Sequence, residues 1–306
     1  MNTERYDVVI VGAGPAGLSA AVMLGRAKRS VLLLSLPGRR NSSATSVHNV
    51  PFADGAAPAE IYAKMESDAL RYGVEIRWEE ALTASTRDDH VVVEGARSGP
   101  VQARRLLLAA GRVDELPSWL PDGVWGRSAF DCPYCHTHER DGGAYVCVGH
   151  NAEALKLAAL VGQYATRLTV VLSDPEAARS PLAGLLAERG TDILVDTVAR
   201  SALLPSGCLE LTTALGTALT ADTLLLADVA RANRRLPEAL ELDLTAQGFP
   251  ETTLYGLTSD PLVYSAGNVE GSPYFMWTGA AASGINAARM ICEDLAFTTD
   301  LMKRGG

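Results

Sequence analysis

Residues 12–17 read Gly-Ala-Gly-Pro-Ala-Gly, a Gly-x-Gly-x-x-Gly turn between the β-branched run Tyr6 to Val11 and the Ala/Leu-rich stretch Leu18 to Arg26. A short apolar run of this kind reads as a strand buried on both faces, and the Ala/Leu stretch as a helix. Val31 to Leu34 is the next strand, so the chain opens on a βαβ unit. Each glycine has a physical task there. Gly12 permits the tight turn, Gly14 lets backbone approach a pyrophosphate, and Gly17 lets helix and strand pack closely. Pro15 and Ala16 open the helix, whose N-terminus favours phosphate. The turn is therefore expected to bind a dinucleotide; the alternative is a Gly-rich turn without a ligand. The acidic residue that would hold an adenosine ribose at the end of the second strand is replaced by Ser35, whose hydroxyl can still reach a ribose.

A second, weaker copy begins near residue 144. Ala144 to Val148 reads as strand, Gly149 to Ala154 as turn, Leu155 to Tyr164 as helix and Leu168 to Leu172 as strand. Two such units in 306 residues predict two Rossmann-like, three-layer α/β domains. Pro117 and Pro121 lie near one boundary and Arg231 to Pro237 near the other. The expected division is 1–115 with 238–306 for the first domain, interrupted by a central region, 116–237. A net charge of −9 without a basic cluster argues against nucleic acid or an anionic membrane as partner. No apolar run approaches the roughly 20 residues of a membrane helix. The apolar N-terminus lacks a basic leader, so the expected location is cytoplasmic.

The segment Leu262 to Asn268 reads as a strand ending in Gly267-Asn268, followed by an Ala/Gly-rich helix, Gly279 to Arg289. Ala-Gly-Asp before such a helix is the usual flavin signature. Here Asn268 replaces the aspartate and can still hydrogen-bond a ribityl hydroxyl, without the charge.

Cys132-Pro133-Tyr134-Cys135 is the sharpest local signal. Two intervening residues allow a disulfide across one turn, and Pro133 suits the first position of a helix whose N-terminus would favour thiolate. Half of a zinc site is the competing reading, but no second Cys-x-x-Cys exists, and His136 and His138 would complete a tetrahedral site only with crowding. His136 is expected to exchange protons with an attacking dithiol, with His138 the alternative and Asp131 or Glu139 orienting it. Cys147, Cys208 and Cys292 have no partner spacing and read as small buried hydrophobes.

These motifs, with Val47-His48-Asn49-Val50-Pro51 and Ala109-Ala110-Gly111, make the chain resemble the low-molecular-weight thioredoxin reductase family over nearly its whole length. The resemblance implies an FAD domain split by an inserted nicotinamide-type domain that carries the cysteines, and a homodimer. It implies that Ser35, Arg40, Asn49, Ala110, Gly111, Gly267, Asn268, Phe275 and Met276 join the glycine turn around FAD. It also implies that Cys135 faces the flavin while Cys132 exchanges with substrate. Tyr274, Phe275, Met276 and Trp277 could alternatively line a substrate pocket or a dimer contact.

Two departures redirect the expected chemistry. The family's nicotinamide turn is Gly-x-Gly-x-x-Ala, but Asn151 stands where backbone should approach phosphates. Where the family carries His-Arg-Arg for the 2′-phosphate of NADPH, this chain has Leu172-Ser173-Asp174, and a carboxylate repels that phosphate. The inserted domain is thus expected to be degenerate. The pattern is similar to the dithiol oxidases that close disulfides in natural products such as gliotoxin, holomycin and romidepsin, which share Cys-Pro-Tyr-Cys followed by histidine. The expected partners are a small-molecule dithiol and dioxygen, in a setting of antibiotic biosynthesis, with hydrogen peroxide as product. A thioredoxin or other disulfide reductase using NADPH or NADH, and a non-catalytic flavoprotein, are the competing readings.

Overall fold

The computed structural model describes residues 4–271 and 276–300, with the side chains of 298–300 left out. Two compact units divide the chain. The first comprises 1–42, 49–113 and 232–306, and the second comprises 43–48 and 114–231.

The first unit opens with β1 (Arg5–Val11), α1 (Pro15–Arg26) and β2 (Val31–Leu34), followed by α2 (Pro58–Arg71) and β3 (Glu75–Arg77). Strands β4 (Ala81–Thr86), β5 (Val91–Gly95) and β6 (Gly99–Leu108) complete its N-terminal part. The sheet runs β3-β2-β1-β6-β5-β4; β3, β2, β1 and β6 are parallel, while β5 and β4 add antiparallel edges. The alternation of a strand explains the two cores. Val8 and Ile10 join one cluster with Leu18, Leu24 and Tyr62 from the helices, while Val9 and Val11 join another with Val91 and Val93. All four of these β1 valine and isoleucine side chains are buried, which is why the run carries no polar alternation. Truncating fully buried Leu24 to alanine would cost about 2–5 kcal/mol.

The chain leaves through β7 (Arg112–Asp114) into the second unit, beginning at β8 (Ala129–Phe130). There β9 (Ala144–Gly149), α3 (Ala152–Val161), β10 (Arg167–Leu172), α4 (Pro181–Glu188) and β11 (Asp192–Val195) follow in βαβαβ order. An antiparallel trio, β12 (Val198–Leu203), β13 (Leu209–Thr213) and β14 (Ala218–Ala221), precedes β15 (Thr223–Leu226). The parallel sheet is ordered β11-β10-β9-β15-β8. Tyr145 and Cys147 meet the residues of α3 and α4 on one face, and Val146 meets Leu209 and Leu211 of the trio on the other. This is the three-layer α/β arrangement expected. Strand β16 (Ala230–Ala232) returns the chain to the first unit, which ends with α5 (Arg235–Ala239), β17 (Val263–Ser265) and α6 (Trp277–Asp300). Strand β17 pairs with the C-terminal part of β6, residues 106–108. Helix α5 belongs whole to the first unit, whereas a boundary at 237/238 would cut it. Among the described residues no helix is long and apolar enough to cross a membrane.

Candidate active site

The β1–α1 turn is built for close approach. Gly12 has φ +112°, and a Cβ there would fall 2.3 Å from the Ala109 carbonyl oxygen. A Cβ at Gly17 would fall 1.9 Å from the Gly12 carbonyl oxygen, so the helix lies directly on the turn. Gly14 differs: a Cβ there meets nothing within 4 Å. It is the N-cap of α1 and offers no side-chain cap, with Pro15 following, so the N–H groups of the first turn have no side-chain acceptor. A helix N-terminus in that state suits a phosphate.

At the C-terminal side, Gly267 is buried at φ +79°, and a Cβ at Gly284 would fall 2.0 Å from the Ala16 carbonyl oxygen, so α6 approaches α1 through small residues as expected. The Gly267 N–H donates to Ser283 Oγ at 3.0 Å, and Ser283 donates to Glu270 at 2.8 Å, whose carboxyl is pushed up by burial. Asn268 Oδ1 is buried without a hydrogen-bond partner, a state a native protein seldom leaves unsatisfied. The donor-rich turn and this orphaned acceptor both fit FAD, whose pyrophosphate and ribityl hydroxyls would supply partners of the right kind.

The other predicted flavin residues are distributed unevenly. Ser35 Oγ accepts from Ala13 N–H at 3.1 Å and donates to the Leu36 carbonyl, so it braces the loop itself. Asn49 is exposed at φ +61°, with its N–H on Asp54, and Ala110 and Gly111 follow β6, Gly111 at φ +69°. Arg40 is exposed, whereas its neighbour Arg39 donates to the Ala13 carbonyl at 3.0 Å and stacks over Tyr62 at 4.3 Å. The sequence did not single out Arg39, because two adjacent arginines in a loop carry no signal for which one meets the Ala13 carbonyl. Met276 is 38% exposed at the start of α6; Phe275 lies outside the described residues.

In the second unit, the matching turn is closed by its own chain. Asn151 is the N-cap of α3, and its Oδ1 accepts the Glu153 N–H at 2.8 Å. Glu153 adds a carboxylate to that first turn. The Asp174 N–H bonds the His150 carbonyl at 3.0 Å, which puts the carboxylate-bearing residue beside the same turn.

Cys132 and Cys135 form a disulfide. Both are partly exposed, and Tyr134 between them is 46% exposed. The expected helix does not follow. Thr137 donates to the Pro133 carbonyl at 2.8 Å, and only a three-residue 3-10 turn, His138–Arg140, comes next. Gly142 and Gly143 then turn the chain into β9, so no α-helical dipole stands behind the pair. His136 is half-buried, tilted against Phe130 at 4.6 Å between ring centroids. Burial first, and then the neighbouring His48, holds its imidazole below the ordinary value. His138 is exposed. Segment Ser43–His48 groups with this unit and brings in His48, whose ring stands edge-on to that of His136 at 6.2 Å. Glu139 reaches His48 at 3.4 Å. One donor atom from each of His48, His136 and Glu139 lies within 4.8 Å of the others, the spacing of a metal site, but Ser46 Oγ already bonds His48 Nε2 at 2.9 Å. Nothing in the local sequence around His48 pointed to the cysteines. Of the other thiols, Cys147 is fully buried, which pushes its pKa up, whereas Cys208 donates to Asp222 at 3.0 Å and Cys292 is half-buried.

Residues 6–286 match the family model described as pyridine nucleotide-disulphide oxidoreductase. The chain is similar to thioredoxin reductase sirT of Leptosphaeria maculans, 32% identical over 142 residues, covering 45% of this chain and 43% of that protein. It is similar to thioredoxin reductase of Bacillus subtilis, 30% identical over 176 residues, covering 56% and 55%. The chain thus spans about half the length of the curated relatives it matches. Among solved structures, that of HlmI superposes with a TM-score of 0.84 at 28% identity, covering 98% of this chain and 96% of the other. With its flavin-fitting turn and disulfide, the chain belongs to the pyridine nucleotide-disulphide oxidoreductase family, as an FAD-binding, thioredoxin reductase-like oxidoreductase.

Proposed function

We propose that the protein is an FAD-dependent dithiol oxidase that forms an intramolecular disulfide in a small natural-product dithiol. One contrast carries the reading. The N-terminus of α1 lacks a side-chain cap, whereas that of α3 is filled by Asn151, with Asp174 beside it. A nicotinamide phosphate would have to displace the Asn151 cap and face carboxylate. Electrons then enter through the cysteines.

In this reading a substrate thiolate attacks Cys132 Sγ. The Cys132–Cys135 bond breaks, a substrate–Cys132 disulfide forms, and Cys135 leaves as thiolate. His136 takes the proton of the attacking thiol; its depressed pKa keeps it neutral and able to do so. The second substrate thiol attacks the substrate sulfur of the mixed disulfide, which closes the product and releases Cys132. Two electrons and two protons have then left the substrate. FAD held by the glycine turn would supply the acceptor for that electron pair, and dioxygen, taking the pair with the two protons, would leave as hydrogen peroxide. Tyr134, exposed between the cysteines, offers an apolar contact to a small substrate. A homodimer is part of the same proposal.

A disulfide reductase fed by NADH is the second reading, favoured by Asp174, whose carboxylate could accept from free ribose hydroxyls. The deciding experiment supplies dithiothreitol in air and counts products. The oxidase yields one peroxide per disulfide without nicotinamide. A protein that consumes no oxygen under these conditions, yet reduces disulfides with NADH, is a reductase.

A further inference from the structure

We propose that His48 is a positioning residue of the redox centre, relaying protons between His136 and the exposed carboxylate of Glu139. The inference rests on the oxidase reading for its direction, and on geometry for the relay itself.

His48 comes from a segment far from the cysteines in sequence, yet its side chain is 17% exposed in the same unit as His136. Ser46 fixes Nε2 at 2.9 Å, and Glu139 approaches the same atom at 3.4 Å. The facing ring of His136 is closed on another side by Phe130. The relay atoms of His48, His136 and Glu139 lie within 4.8 Å of one another, a span that one water bridges with two hydrogen bonds. The groups that face His136 are His48 from the 43–48 segment and Glu139 and Arg140 from the turn after it. Arg140 is committed elsewhere, donating to the Asp222 carbonyl at 3.1 Å and to the Arg127 carbonyl. Two adjacent imidazoles resist holding two protons, so a proton accepted by one is passed on. Glu139, 40% exposed, hands it to water.

Each turnover releases two protons from a dithiol while the Cys132–Cys135 bond breaks and the substrate bond forms. His136 must give up its first proton before it can accept the second, and its half-buried ring makes a directed route faster than direct loss to solvent. The relay restores it between the two exchanges.

The test follows flavin bleaching by dithiothreitol in anaerobic stopped flow, between pH 5 and 9, for wild type, His48→Gln, His48→Ala and Glu139→Gln. Glutamine keeps hydrogen bonding but cannot titrate. The expected result is a limiting rate about tenfold lower in His48→Gln, with the half-saturating dithiol concentration unchanged. The acid limb should move to higher pH, because a positive neighbour of His136 is gone. Added imidazole should restore rate to His48→Ala, which a merely structural role would not permit. Glu139→Gln, altered at an exposed side chain, should slow the reaction in the same sense. Wild-type rate and pH midpoint in His48→Gln would overturn the relay, as would a rate lost in His48→Ala without imidazole rescue. If dithiol fails to bleach the wild-type protein, the oxidase reading falls. The relay is then read from the reduction of a chromogenic aryl disulfide by photoreduced protein, with the same variants, rescue and refuting results.

Discussion

Replacing Gly14 with alanine separates the fold from the flavin site. Gly14 has φ −76° and ψ −175°, ordinary extended backbone, and a Cβ there meets no atom within 4 Å. Alanine should therefore leave the flavin-free protein as stable as before, or more stable by about 0.4–1 kcal/mol through a less flexible unfolded chain. The methyl group would, however, stand at the N-cap of α1, where the pyrophosphate must approach. Charge-assisted hydrogen bonds are worth about 1.5–3 kcal/mol each. Losing one or two of them weakens FAD binding by roughly 100-fold, since each 1.4 kcal/mol is tenfold. Gly17→Ala supplies the contrast. Its Cβ would lie 1.9 Å from the Gly12 carbonyl oxygen, so strand and helix must separate and the fold itself suffers. Flavin-free protein is titrated with FAD by fluorescence quenching, and its thermal unfolding is recorded separately. A Gly14→Ala protein that binds FAD within threefold of wild type refutes the assignment of this turn.

Three further outcomes are expected. Asn151→Ala should destabilise the protein by about 0.5–2 kcal/mol in chemical denaturation, because it removes the Oδ1 acceptor of the Glu153 N–H at the start of α3. Cys135→Ser should abolish dithiol-driven flavin reduction in anaerobic spectra while leaving flavin content unchanged. The rate of that reduction should fall on the acid side with a midpoint below the ordinary imidazole value of 6.5, since burial lowers His136. The sign carries over to stability: the folded state binds fewer protons than the unfolded chain near pH 6.5, so this group makes stability rise with pH through that window. A midpoint above 6.5 in the rate profile would assign the acid limb to another group.

The fold was legible because its signals are local and periodic. The runs Val8 to Val11 and Leu32 to Leu34 have no polar alternation, and both became strands buried on two faces. The second βαβ unit was legible for the same reason, from Ala144 to Leu172. The helix expected behind Cys132 was not found, because the hydrogen bonds of Thr137 and the following glycines end it after one 3-10 turn. Spacing alone does not report such competition. Arg39 was hidden by an equivalent neighbour, and the difference between Arg39 and Arg40 is which guanidinium finds the Ala13 carbonyl and the Tyr62 ring. His48 stood in a motif that carried the family resemblance, but its place beside His136 was hidden for a topological reason: a segment between β2 and α2 groups with the unit that carries the cysteines. Glu270 and Ser283 meet only once α6 has folded back onto the turn after β17.

The direction of electron flow is tested most directly by mixing the oxidised yellow protein, without oxygen, with NADPH, NADH or a small dithiol, and following the flavin absorbance. The account predicts bleaching by the dithiol alone, with peroxide appearing when air is admitted. Rapid bleaching by NADPH, in a chain whose α3 N-terminus is capped by Asn151, would contradict it.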